Sequence, residues 1–194
     1  MRRAEASRKT KETEVRVELC LDGRGRAEVD TGIGFFNHML EAFTRFSGFD
    51  LKVRAKGDLE VDAHHTVEDV GIVLGKALEE ALGSREGIAR FGHTLLPMDE
   101  ALVLAAVDVS GRGGFYWQGS FPAAQVGGLD VEVIPEFFRS LALNARITLH
   151  LRILAAENTH HAAEALFKAC GLALGQAVGL QPHGGEIPST KGVL

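Results

Sequence analysis

The sequence predicts an α+β fold made of one unit used twice, with two β-sheets, two helices per half, and sheets and helices packed in layers. The first sign is the order extended, helix, extended, helix, which runs twice along the chain. The second is that two long helical segments align without a gap when His64 is set against His160. From His64 to Gly83 and from His160 to Gly179 the matches are His64/His160, His65/His161, Glu68/Glu164, Gly75/Gly171, Ala77/Ala173, Leu78/Leu174, Ala81/Ala177 and Gly83/Gly179. Unrelated helices share far fewer identities, so an internal repeat is the better reading. The third is that each long helix follows a shorter one bearing a double phenylalanine, Phe35-Phe36 and Phe137-Phe138.

The elements follow in order. Thr13 to Leu21 alternates Val15, Val17 and Leu19 with charged neighbours, and after Asp22-Gly23 a second extended run covers Arg26 to Asp30, predicting a hairpin. From Gly34, Phe35, Phe36, Met39, Leu40, Phe43 and Phe46 recur at helical spacing until Gly48 stops them. Phe49 to Ala55 and Leu59 to Asp62 read as strands joined at Lys56-Gly57-Asp58, and a helix is predicted from about His65 to Leu82. The second half opens with Leu102 to Val109, apolar enough for a buried strand, and a glycine-rich loop, Ser110 to Gly114. A helix from about Pro135 to Leu143, a strand from Ile147 to Leu154 and a helix from His160 to Val178 follow. One domain, 1–194, is expected, its halves at about 1–92 and 93–180, fused because neither core is comfortable alone. The tail, 181–194, has no periodicity of its own.

Composition narrows the function. The formal net charge is −5 and lysine and arginine are scattered singly, so nucleic acid is not the expected partner. No apolar run reaches the roughly 18 to 20 residues that span a bilayer, so no membrane partner is expected. The two cysteines, Cys20 and Cys170, sit in apolar surroundings and make no disulfide framework, which points to a reducing, cytoplasmic location.

Histidine is the unusual component. Both halves carry His-His-x-x-Glu at a helix start: His64, His65 and Glu68, then His160, His161 and Glu164. Positions i and i+4 share a helix face, so His64 can lie beside Glu68 and His160 beside Glu164. Adjacent residues are about 100° apart around the axis, which suggests two metal sites, each drawing one histidine from each pair. A single such pair is usually a solvated hydrogen bond; its duplication argues for ligation. Imidazole and carboxylate without thiolate suit Mn, Fe, Co or Ni as readily as Zn. His38 is a further candidate ligand, while His93, His150 and His183 receive no role.

The segments GIGFFNHML, DAHHTVEDVGIVLG, RFGHTLLPMDEAL, ENTHHAAEALFKA and IPSTKGVL together resemble the imidazoleglycerol-phosphate dehydratase family, in order and over essentially the whole chain. The resemblance implies a fold of the ribosomal protein S5 domain 2-like type. It implies a lyase that dehydrates D-erythro-imidazole glycerol phosphate to imidazole acetol phosphate in L-histidine biosynthesis. It further implies two Mn(II) ions per active site, sites between subunits, and a homo-oligomer of about 24 subunits built from trimers. The family's metal ligands carry over onto His38, His64, His65, Glu68, His160, His161 and Glu164. Where the family commonly has a histidine before the second double phenylalanine, this chain has Glu136, a carboxylate that can still ligate Mn(II). Substrate contacts carry over onto Glu12, Arg90, Arg112, Lys168, Ser189, Thr190, Lys191 and Gly192, with the tail 181–194 as a substrate-binding segment. Singly, these cations would read as solvated surface groups; jointly, guanidinium forks and tail amides suit a phosphate dianion.

The implied reaction removes a hydrogen from a carbon that has no neighbouring carbonyl to acidify it, so the imidazole ring has to serve as the electron source. Metal ions on the ring nitrogens would stabilise an imidazolate, which expels the adjacent hydroxyl to leave a diazafulvene-like species. Loss of the next proton gives an enol and then the ketone. Glu12 and Glu164 are the expected acid and base. A dinuclear hydrolase and a structural, non-catalytic metal cage are the competing readings. The first would release inorganic phosphate, and the second needs no phosphate-binding cations.

Overall fold

Two four-stranded sheets with the same connectivity frame the computed structural model, which describes residues 1–182 and 185–192. The first half contains β1 (Arg3–Lys9), β2 (Thr13–Cys20), β3 (Ala27–Asp30), α1 (Gly34–Ser47), β4 (Asp50–Gly57) and α2 (His64–Leu82). The second contains β5 (Phe91–Met98), β6 (Ala101–Asp108), β7 (Gly114–Gln118), α3 (Val133–Asn144), β10 (Thr148–Ala155) and α4 (Thr159–Val178). A short ribbon of β8 (Gln125–Val126) and β9 (Leu129–Asp130) precedes α3. Strand orders are β1-β2-β4-β3 and β5-β6-β10-β7, so each sheet repeats the other position by position. Of the predicted tail, His183, Gly184, Val193 and Leu194 lie outside the described residues.

Alternation drives each strand to bury one face. Val15, Val17, Leu19, Leu51 and Val53 point inward in the first sheet, and Val103, Ala105, Val107, Leu149 and Leu151 in the second. The helices fill the space between, giving layers of sheet, helix pair, helix pair and sheet. Helix α2 lies on β1 and β2, α4 on β5 and β6, and across the centre α1 packs on α4 and α3 on α2. Glycines permit the close crossing: a Cβ at Gly75 would stand 2.7 Å from the Leu141 carbonyl oxygen, and one at Gly171 would stand 2.6 Å from that of Phe43.

These glycine contacts also set the equivalence of the two halves. Gly171 meets Phe43 and Ser47 as Gly75 meets Leu141 and Ala145. The two double phenylalanines are therefore one helical turn out of register, and the counterpart of His38 is Glu136.

Local pattern and observed structure differ at four places. The predicted hairpin of β2 and β3 is open, because β4 lies between them, antiparallel to β2 and parallel to β3. The Asp22-Gly23 turn instead runs against Asp50, whose Oδ1 accepts from the Arg24 and Arg26 backbone N–H groups. Strand β1 was not legible: only Ala4 and Ala6 alternate with its polar residues, and its pairing with β2 is what makes it a strand. Strand β5 was hidden because Gly92 marks its inward face, where a Cβ would collide with the backbone of α4 at Ala173. Residues 59–62 form a turn, in which the Val61 N–H donates to the Asp58 carbonyl and Val61 stays exposed.

Candidate active site

The start of α4 is the best-organised part of the site. Asn158 has extended backbone and its side-chain oxygen accepts from the His160 and His161 N–H groups, capping the helix and fixing both histidines. His160 Nε2 lies 3.1 Å from Glu164 Oε2, and His38 Nε2, arriving from α1, lies 3.3 Å from the same oxygen. The ligand atoms of His38, His160 and Glu164 all fall within 4.8 Å of one another. Lys168 Nζ stands 2.7 Å from the other carboxylate oxygen, Oε1. Burial pushes the Glu164 carboxyl up, but Lys168, His38 and His160 more than offset it and hold it below the ordinary carboxylate value. Two imidazole nitrogens converging on one carboxylate oxygen, with no thiolate, make a donor set that fits Mn(II).

The other histidines diverge from their neighbours, as the helical step between adjacent residues requires: ring centroids are 6.2 Å apart in the first pair and 6.3 Å in the second. His161 Nδ1 lies 2.8 Å from Glu100 Oε2, and its Nε2 lies 3.8 Å from Asp99. His65 Nδ1 lies 2.9 Å from Asp58 Oδ2 and 3.8 Å from Glu12 Oε2. His64 Nε2 and Glu68 Oε2 are 3.9 Å apart, and among the described residues no third ligand closes on them. Glu136 is half-buried and pairs with Arg139, Nε to Oε2, at 3.3 Å.

These pairs make a pH prediction for the metal-free protein. Hydrogen bonding to Glu100 raises the His161 pKa and hydrogen bonding to Asp58 raises that of His65, while His161 lowers Glu100 to about 2. A raised imidazole contributes stability that is complete below its unfolded pKa and is lost as pH rises through the folded value. A depressed carboxylate contributes stability that is complete above its unfolded pKa and is lost as pH falls toward the folded value. Thermal melting of chelator-stripped protein is therefore expected to peak between about pH 5 and pH 6.5 and to decline on both sides. A flat profile from about pH 6 to pH 9 would remove the histidine pairs from the stability account.

The cations gather elsewhere. Arg90 Nε lies 2.8 Å from Asp108 Oδ1, and its Nη1 donates to the Pro188 carbonyl at 2.9 Å, tying down the tail beside Ser189, Thr190 and Lys191. Around Ser189 the tail folds on itself: its hydroxyl accepts from the Lys191 N–H and its carbonyl from the Gly192 N–H. Arg112 sits in the adjoining loop, with Nη1 3.4 Å from the Ser110 carbonyl. Phe91 pairs with Asp108 and Met98 with Ala101, so Arg90 stands at one end of β5 and Glu100 at the other. At about 3.3 Å per residue those ends are roughly 23 Å apart. Lys168 stays with the histidines, and Glu12 with His65. Within one chain the predicted ligands and the other predicted phosphate contacts do not meet.

Asp58, Asp99, Glu100 and Asp108 were missed by sequence reasoning. Asp99 and Glu100 lie in the tight β5 to β6 turn, where Asp99 adopts φ +50°. A carboxylate pair in a turn is ordinary in sequence, and only the fold brings it to His161.

Fold and site define a class: a duplicated α+β enzyme with imidazole and carboxylate clusters at the starts of paired helices and a separate cationic end. Comparison with known proteins narrows it. The family model for imidazoleglycerol-phosphate dehydratase matches residues 31–174. The imidazoleglycerol-phosphate dehydratase of Desulforudis audaxviator is 55% identical over 194 residues, covering 100% of this chain and 98% of its own. That of Desulfitobacterium hafniense is 56% identical over 194 residues, covering 100% and 99%. The crystal structure of the Staphylococcus aureus enzyme aligns with a TM-score of 0.83 at 37% identity, covering 91% of this chain and 99% of its own. The Pyrococcus furiosus structure, a complex with (S)-C348, aligns at 0.84 and 39%, covering 97% and 99%. The chain belongs to the imidazoleglycerol-phosphate dehydratase family. It is a hydro-lyase of histidine biosynthesis that removes water from imidazole glycerol phosphate.

Proposed function

We propose that this dehydration takes place at a site shared between copies of the chain, with two Mn(II) ions held by His38, His64, His65, Glu68, Glu136, His160, His161 and Glu164. The observation that carries the shared site is the separation of ligands from cations: the α4 start and the Arg90 end lie at opposite ends of β5, farther apart than one small substrate can bridge. A second copy can bring its Arg90, Arg112 and tail to the helix starts of the first. The outer face of the second sheet suits such an association, for Phe91, Leu95, Tyr116 and Leu154 are all more than half exposed there. The outer face of the first sheet instead carries ion pairs, among them Arg16 with Glu5 and Lys52 with Glu28. A large homo-oligomer, of about 24 subunits, fits this arrangement. No helix among the described residues is long and apolar enough to cross a membrane, and a cytoplasmic location agrees with two free, buried cysteines.

When bound, the ions supply electrophilic stabilisation of negative charge on the substrate's ring nitrogens. Arg90, Arg112, Ser189, Thr190, Lys191 and Gly192 hold the phosphate through guanidinium forks, hydroxyls and tail amides. Glu12, more than half exposed beside His65, meets the glycerol hydroxyls. Glu164 moves a proton at its Oε2, with the Lys168 ammonium on Oε1 keeping it ionised.

The test strips the purified protein with chelator, restores Mn(II) or nothing, and supplies imidazole glycerol phosphate while ketone and inorganic phosphate are followed together. Metal-dependent ketone without phosphate release is expected. Ketone formation independent of metal would overturn the metal reading, and phosphate release would favour hydrolysis.

A further inference from the structure

Strands β2 and β6 occupy the same place in their sheets, so Glu12 and Glu100, each the residue immediately before its strand, are counterparts near the β1 to β2 and β5 to β6 turns. His65 and His161 are counterparts on α2 and α4. Equivalent carboxylates should meet equivalent histidines in the same way, and they do not. Glu100 Oε2 is 2.8 Å from His161 Nδ1, whereas Glu12 Oε2 is 3.8 Å from His65 Nδ1. Asp58 takes that place in the first half, with Oδ2 at 2.9 Å. Asp58 follows β4, and across the bulge in β10 the residue in the same sheet register is Glu157, which is exposed and has no hydrogen bond or ion pair with His161 among the described residues.

We infer that Asp58 and Glu100 are positioning residues that fix the rings of His65 and His161 through Nδ1, and that with Asp58 on His65 the Glu12 carboxylate is left free to face the substrate. The inference rests on the metal reading proposed above. A carboxylate acceptor puts the imidazole proton on Nδ1 and leaves the Nε2 lone pair for an ion, and it sets the ring plane as well. Both carboxylates are held for the task. Glu100 Oε1 accepts from the Asn158 N–H at 2.8 Å, which ties it to the cap of the same helix that bears His161. Asp58 is largely buried, and its Oδ1 has no hydrogen-bond partner among the described residues, so the bond from Oδ2 to His65 is the main use of that side chain. Glu12 is the opposite case: 58% of its side chain is exposed, and it stands within reach of the histidine without being bound to it.

The experiment is a Mn(II) titration of the full-length protein, read by the electron paramagnetic resonance signal of free Mn(II), alongside steady-state kinetics. Wild type is compared with Glu100→Gln, Asp58→Asn and Glu12→Gln; the amide at 58 keeps one oxygen, and the amide at 100 keeps one oxygen where the carboxylate serves the Asn158 N–H and His161 with two. Glu100→Gln and Asp58→Asn are expected to bind the same number of ions at saturation but about 10 to 100-fold more weakly. Glu12→Gln is expected to leave Mn(II) affinity within about twofold and to change kcat or KM instead. Melting of each metal-free variant checks that it is folded. Unchanged Mn(II) affinity in folded Glu100→Gln or Asp58→Asn overturns the inference. So does loss of an ion at saturation, which makes these carboxylates ligands, and so does a Glu12→Gln variant that loses affinity as the others do. If wild type binds no Mn(II), the metal reading falls first and takes the inference with it.

Discussion

Replacing Glu164 by glutamine is expected to lower turnover by about 10²- to 10⁴-fold, the usual contribution of a positioned acid or base. Glutamine keeps the side chain's shape and one carbonyl oxygen but loses the charge and the proton affinity. The position is only 8% exposed and is contacted by His38, His160 and Lys168, so no other described carboxylate stands in the same contacts. The change also leaves the Lys168 ammonium, with a fifth of its side chain exposed, without its close counter-charge. Some loss of stability is therefore expected together with the kinetic defect. Turnover is to be measured at saturating substrate with bound Mn(II) quantified in the same preparation. Near-normal turnover in a variant that still holds its metal would remove Glu164 from the chemistry.

Mixing two inactive variants is expected to restore activity. Arg90→Ala removes the proposed phosphate contact from one end of β5, and Glu164→Gln disables the α4 start at the other end. Each homo-oligomer should be down by about 10²-fold or more. If every active site takes its cations from one copy and its ligands from another, random co-assembly leaves about a quarter of the sites with neither change. Dissociation and reassembly of an equal mixture, followed by the ketone assay, should therefore recover roughly that fraction of wild-type turnover. No recovery in a mixture shown to have exchanged subunits would place the whole site within one chain. The Arg90 variant carries a structural cost too, because Arg90 pairs with Asp108 and anchors the tail at Pro188. Assembly state is to be measured before the assay.

Much of this protein was legible along the chain. The repeat showed in the His-His-x-x-Glu alignment because a duplicated helix keeps its histidine, glutamate and glycine positions in register: Gly75 and Gly171 both sit where a second helix comes within backbone contact. Helices α1, α2, α3 and α4 were each predicted to within two residues, since helical periodicity is local and three of the four, α1, α2 and α4, stop at a glycine. The divergence of the paired histidines also followed from sequence, as a consequence of the 100° step.

Strands β1 and β5 were not legible, for the inner face of β1 carries Ala4 and Ala6 and that of β5 opens on Gly92 and Thr94, and such positions are defined by their neighbours. The parallel pairing of β3 with β4 was equally hidden, because a turn signal such as Asp22-Gly23 says where a chain can reverse but not which strand will lie beside it. The sequence by itself determined the paired imidazole and carboxylate groups, their repetition and the helices that present them, since these depend on residue identity and local spacing. Only the tertiary structure decided that His38 joins His160 and Glu164, that Glu136 stands in the place of His38, that Glu100 and Asp58 hold the second histidines, and that Arg90 lies at the far end of β5. Each of these is a meeting of residues distant in sequence, or their failure to meet, and sheet order and helix crossing set such distances while local pattern does not.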